Sequence, residues 1–260
     1  MRGARAAILL ALLLLPAGCA DPARERFERA EKAFLAHRVE EALELYRSVP
    51  REFPQSRYAP AALLRVGDLY GSFYRNYEAA LEAYDSLSYN YPTADEAPQA
   101  GMRKAEIHLR QSFDYRRAVA ELERIRTKTP RFPRMDEALL LLAEACAGIP
   151  EPDREVLALQ ELLERFPDSP RGKEARWRLA YAFLKGGNFP DADREFRKLL
   201  YLSSGPGEAA RARWGIGQSL EGMGRYAEAL SQYEAIGGDW EDPSYVAEKI
   251  RWLRERIRKG

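Results

Sequence analysis

Two stretches, RVEEALELYRSVPREFPQS at residues 38–56 and NYEAALEAYDSLSYNYPTA at residues 76–94, decide the fold. Set one above the other, they share Ala at 42 and 80, Tyr at 46 and 84, and Pro at 54 and 92. The frame recurs with Ala118, Leu122 and Pro130, with Ala192 and Phe196, and with Ala229 and Tyr233. DREVLALQELLERFPDSP (153–170) fits it too, with Glu155 in the alanine slot, Leu159 four residues on and Pro167 at twelve. Successive anchors are 38, 38, 37, 37 and 37 residues apart. Self-similarity at one period over most of a chain marks a repeat architecture.

The physics of one period is readable. A small residue lets two helices cross closely, and a bulky apolar one turn later fills the space beside the crossing. Proline then ends the helix, because it cannot continue the hydrogen-bond ladder. Twelve or thirteen residues before each anchor sits another small residue: Ala30, Gly67, Ala105, Ala143, Ala180 and Gly217. Each period therefore predicts a helix–turn–helix hairpin that cannot bury its apolar face alone and must stack on its neighbours.

This pattern resembles the tetratricopeptide repeat. The resemblance implies an all-α right-handed superhelix of about six hairpins, spanning 24–240, with a capping helix over 241–260. FPQSRYAPAALLRVGDLY (53–70) and FPDSPRGKEARWRLAYAF (166–183) are further similar to tetratricopeptide proteins of the Gram-negative envelope. These include the BamD-like lipoproteins of the β-barrel assembly machinery and the CpoB-type proteins linked to Tol–Pal. The repeats begin soon after Cys19 with no long coiled coil before them, which favours the BamD-like branch. Six hairpins depart from the five expected of that branch.

The leader bears on compartment. Arg2 and Arg5 precede the apolar run AAILLALLLL (6–15), then Pro16, Ala17, Gly18 and Cys19. That is the layout of a secretory signal peptide. The run is about half of the ~20 residues a membrane-spanning helix needs. Cys after Ala-Gly resembles the bacterial lipobox, with Pro16 standing where that pattern has Leu. The resemblance implies removal of residues 1–18, a diacylglycerol and fatty acyl (palmitate-type) lipid on Cys19, and a short tether over 19–23. Ordinary signal-peptidase cleavage beside a bystander Cys is the alternative. Residue 20 is Ala, and Asp21 lies one place too late for inner-membrane retention. The expected location is the periplasmic face of the outer membrane.

The full chain carries a net charge of +1, and −1 without the two leader arginines. Such a balance suggests neither a nucleic-acid partner nor bulk attraction to membranes. With Cys19 acylated, Cys146 stands alone and no disulfide braces the fold.

Chemistry is sparse. His108 and Cys146 occupy the same slot of successive hairpins, three residues after Ala105 and Ala143. Zinc needs three or four ligands, and no third candidate shares that slot. A buried thiol and a satisfied histidine are the simpler reading, with a metal or thiol enzyme as the alternative. The Gly-rich stretches 185–189, 203–210 and 221–226 lack the Lys-Ser/Thr of a phosphate loop and sit where helices end. No catalytic residue, metal, cofactor or small-molecule substrate is expected.

A partner-binding stripe is the one candidate site. Trp177 and Trp214 lie one repeat apart on first helices, the helices expected to line the concave groove. Tyr181 and Gln218 follow one turn later, with Arg178 and Arg211 nearby. Trp, Tyr and Arg are enriched at interface hot spots. Packing of both indoles between helices is the alternative. At the C-terminus, Val246, Ile250, Leu253 and Ile257 form the apolar stripe of the cap, followed by Arg254, Arg256, Arg258 and Lys259. The expected function is a lipid-anchored scaffold that holds other envelope proteins, among them a membrane β-barrel assembly protein. Secretion, pilus assembly or Tol–Pal coordination are alternative pathways.

Overall fold

A computed structural model of the chain describes residues 21–237, 240 and 242–259. Among these, every regular element is helical. The order is α1 (Pro22–Leu35), α2 (Val39–Glu52), α3 (Tyr58–Asp68) running into a π-turn (Leu69–Phe73), α4 (Tyr77–Asn90), α5 (Ala97–Arg110) and α6 (Tyr115–Lys128). Then follow α7 (Met135–Ala147), α8 (Pro152–Arg165), α9 (Gly172–Lys185), α10 (Phe189–Tyr201), α11 (Pro206–Gly222), α12 (Tyr226–Glu234) and α13 (Pro243–Lys259). They pair as six hairpins and a final helix, as the period predicts. The signal peptide, Cys19 and Ala20 lie outside the described residues.

The prolines end helices through their neighbours. The residue before Pro54, Pro92, Pro130 and Pro167 has φ near −130° and ψ near 60° in all four cases: Phe53, Tyr91, Thr129 and Phe166. Steric clash with the proline ring drives the preceding residue out of the helical region. Each of the four still donates its N–H to the carbonyl four residues back, closing the last turn. Ser56 and Ser169 then fold the chain back, each amide donating to the carbonyl of that pre-proline residue.

The turn inside a hairpin uses a left-handed residue. His37, Arg75, Phe113, Gly187 and Gly224 all have φ between 52° and 77°, each two residues before a second helix. The amide of the next residue donates across the helix end, as from Asn188 to the Phe183 carbonyl at 2.9 Å. This satisfies carbonyls that a helix end otherwise orphans. The hairpin of α7 and α8 uses a longer connection through Gly148–Glu151 instead.

The chain divides into two compact units between Glu96 and Ala97. In the first, α1 to α4 pack in chain order and α1 also touches α3. Its core gathers Ala30, Ala33, Tyr46, Val49, Ala62 and Val66. In the second, α5 to α13 stack in chain order, with first helices touching the next first helix at α5–α7 and α9–α11. One core runs from Met102 to Leu253. Within each unit a hairpin meets mainly its neighbours, so stability accumulates along the unit.

The six +4 residues, Tyr46, Tyr84, Leu122, Leu159, Phe196 and Tyr233, are all fully or almost fully buried. Three tyrosines spend their hydroxyls on carboxylates of the first helix. Tyr46 donates to Glu31 at 2.6 Å, Tyr84 to Asp68 at 2.8 Å and Tyr233 to Glu221 at 2.5 Å. Burial and these carboxylates push the Tyr46 and Tyr233 phenols far above their ordinary range, so both stay neutral donors.

Candidate functional site: a groove of aromatic and charged side chains on α9 and α11

The candidate groove lies wholly in the second unit, and its construction starts from α9. Trp177 and Tyr181 are four residues apart and so share one helix face. Their rings stack with centroids 6.0 Å apart. Beneath them lies Phe196 of α10, the +4 residue of the same hairpin, at 6.1 Å from Trp177 and 5.1 Å from Tyr181. Helix α11 reaches this cluster because it presents Gly215 to the Phe196 ring. A Cβ there would fall 2.5 Å from the ring.

That approach carries Arg211, one turn before Gly215, over the aromatic pair. Its guanidinium lies 4.3 Å from the Trp177 ring centroid and 5.3 Å from that of Tyr181. Its Nε donates to the Tyr181 hydroxyl at 3.2 Å. Among the described residues Arg211 has no carboxylate partner, so its charge is held on an aromatic shelf and left open to an anion.

The groove beside this shelf has a volume of about 650 Å³. Its other charges are mostly matched. Lys173 Nζ sits 2.5 Å from Glu208 Oε2, which holds the Glu208 carboxyl below its usual range. Arg178 meets Glu174 at 3.2 Å and Glu144 at 3.5 Å. Lys185 lines the far end beside Glu155. Glu155 is the residue in the alanine slot of its repeat. It is half-buried on α8, and burial pushes its carboxyl up while Lys185 and Arg178 pull it down.

Four of the six stripe residues, Trp177, Arg178, Tyr181 and Arg211, thus line one groove. Trp214 does not join them. Both indoles are buried, Trp177 at 9% and Trp214 at 7% exposed, as the packing alternative expects. Trp214 stacks on Trp240 at 5.0 Å and lies against Tyr245 at 5.2 Å and Tyr233 at 4.8 Å. Gln218 is half-buried on α11, away from the groove lining. Sequence reasoning did not name Lys173, Lys185 or Glu208, and named Glu155 only for its place in the repeat, not as a site residue. Only Glu155 carried a signal, as the one acidic residue in an alanine slot.

The profile of the tetratricopeptide repeat matches residues 103–170, 156–208 and 178–243, together more than half of the chain. The chain belongs to the tetratricopeptide repeat family. Solved tetratricopeptide structures align with it at low identity. A tetratricopeptide repeat protein from Parabacteroides merdae is 18% identical, with 91% of this chain and 85% of that one covered and a TM-score of 0.57. YrrB, described as a tetratricopeptide repeat protein with an unusual peptide-binding site, is 16% identical over 78% of this chain and 96% of its own, with a TM-score of 0.59. PilW, a type IV pilus biogenesis factor, is 14% identical over 90% and 99%, with a TM-score of 0.53. At these identities the likeness shows the fold alone. No curated protein matches the chain.

Elsewhere in the tetratricopeptide array, Cys146 is wholly buried, and burial pushes its thiol up to about 11. At neutral pH it is a thiol, the inert form. His108 is buried with Nδ1 unpartnered, and burial pushes its imidazole below the usual range. Among the described residues no three His, Cys, Asp or Glu side chains gather as metal ligands, and no helix is long and apolar enough to cross a membrane. A tetratricopeptide array is a scaffold suited to protein–protein interaction, and the groove is where this one concentrates aromatic surface and an open charge.

Proposed function

We propose that this chain is a lipid-anchored scaffold of the bacterial envelope that holds segments of partner proteins in the α9–α11 groove. The observation that carries the reading is Arg211 on the Trp177–Tyr181 shelf. It holds an exposed guanidinium over a buried indole and the partly exposed Tyr181 ring, which supplies a fixed cation and one aromatic edge, residue types enriched at interface hot spots. The anchor is Cys19, on the strength of the lipobox-like leader. The compartment is the periplasmic face of the outer membrane, on the strength of Ala20. The leading pathway is assembly of outer-membrane β-barrels, by resemblance of the FPxS turns and the short tether.

A second pathway has its own support. PilW is named a pilus biogenesis factor and nearly all of it aligns with this chain, so pilus assembly is the alternative within the same interaction class. Photo-crosslinking from Tyr181 in native envelopes separates the two. The expected product is an adduct with a barrel-assembly component. Adducts with pilus components would move the protein to that pathway, and absence of any adduct at this position would overturn the groove as the binding face. Labelling with a radioactive fatty acid tests the anchor. The wild type should be marked and Cys19→Ser should not.

A further inference from the structure

The last helix carries a charge that the rest of the chain does not. Residues 243–259 hold six basic and two acidic side chains, a net of +4 in a chain whose total is +1. Two of the six are matched: Lys249 to Glu221 at 2.9 Å and Arg254 to Glu234 at 2.7 Å. Arg251, Arg256, Arg258 and Lys259 are exposed and, among the described residues, have no carboxylate partner.

Glu248 and Glu255 are exposed as well, so the open side chains carry a net of +2. The helix is not purely polar outside its packed stripe: Val246 and Leu253 are buried against the stack, Ile257 at the end of that stripe is 40% exposed, and Trp252 stays 45% exposed. Trp252 is flanked by cations, Lys249 Nζ at 5.0 Å and the Arg256 guanidinium at 5.6 Å from its ring. Arg256 also lies 4.7 Å over Tyr226 of α12.

We propose that the outer face of α13 docks on an anionic phospholipid surface. Basic side chains beside a partly exposed indole are the composition of an interfacial helix, with cations for the headgroups and Trp at the boundary. The size of the face argues against an acidic protein as the occupant. A helix of 17 residues is roughly 25 Å long and about 10 Å across. Its exposed side therefore covers a few hundred Å², well below the roughly 800 Å² per partner of a stable protein interface. A bilayer needs no matching shape and offers charge at high density. Each cation near such a surface multiplies partitioning about fivefold.

The test is partitioning of the full chain onto phosphatidylcholine vesicles with and without phosphatidylglycerol. Residues 1–20 are the same in every variant, so the readout is the ratio between the two lipids. The wild type should prefer the anionic vesicles by about twenty-five-fold, two net open charges at about fivefold each, and the preference should collapse in about 1 M salt. Arg251→Gln/Arg258→Gln should lower the ratio about twentyfold with unchanged helicity. Arg258→Gln/Lys259→Gln, in the final turn where neither side chain has a partner, guards against a folding defect and should lower it as much. Equal binding to both lipids by the wild type would overturn the proposal and leave an acidic protein as the occupant. A ratio kept by both folded variants would also overturn it.

Discussion

The Tyr84 ring lies directly on Gly67, so close that a Cβ added to Gly67 would fall 2.3 Å from it. Gly217 and Tyr233 repeat the relationship at 2.6 Å in the last hairpin. The small residue of the first helix and the aromatic of the second are therefore one contact. Gly67→Ala should destabilise by about 1–3 kcal/mol, the cost of overpacking, read as a lower urea midpoint. Gly207→Ala is the control. Nothing lies within 4 Å of the Cβ it would add inside α11, so it should stabilise by about 0.5–1 kcal/mol.

Three hairpin turns place non-glycine residues where two others have glycine. Phe113 and Arg75 hold φ of 52°, where Gly187 and Gly224 hold 77° and 74°. A Cβ in the left-handed region costs roughly 1–2 kcal/mol. Phe113→Gly should therefore raise the melting temperature, a gain of about 1 kcal/mol once the added flexibility of glycine is subtracted. Gly224→Ala should lower it by a similar amount.

Lys104 and Glu121 form a largely buried ion pair, with Nζ and Oε1 2.5 Å apart. Burial pushes the Glu121 carboxyl up, but Lys104 and Arg124 outweigh it and hold the group below its ordinary value. A carboxylate depressed by folding binds its proton more readily when unfolded. Its contribution is full above about pH 4.3 and is lost as the pH falls through the lower folded value. Stability measured by denaturant should fall below that pH. Lys104→Met should cost about 1.5 kcal/mol at neutral pH, the loss of one charge-assisted hydrogen bond while Arg124 keeps Glu121 paired at 2.6 Å, and most of that cost should vanish in acid.

Among the described residues Arg211 lies over two aromatic rings, donates to a phenol and makes no ion pair. Arg211→Glu should change stability by less than about 1 kcal/mol, within the range of exposed cation–π contacts. The same change should abolish crosslinking from Tyr181. Loss of fold together with loss of crosslinking would show that the shelf is structural.

Cys146 supplies a readout of global opening. Buried, with its thiol pushed up to about 11, it should resist thiol reagents in the native protein. It should react at full stoichiometry once the array is unfolded in urea.

Most of the fold was legible because its determinants are local. The amphipathic period, the pre-proline helix ends and the pairing of a small residue with an aromatic all lie within one repeat of 37 or 38 residues. The candidate site was legible only in part. Trp177 and Trp214 hold equivalent places in the repeat and both are buried, yet Arg211 of the next first helix covers one at the edge of a groove while Trp240 and Tyr245 cover the other. Side chains 19 to 34 residues apart meet there, and sequence spacing does not choose among their possible partners.

By itself, then, the sequence determined an all-α repeat of six hairpins and a cap, because helix ends and hairpin crossings follow from residues a turn or a repeat apart. Only the tertiary structure decided which cations stay open. Lys173 and Arg178 find carboxylates, while Arg211 and four cations of α13 do not, because ion pairing depends on which faces the stacking brings within reach.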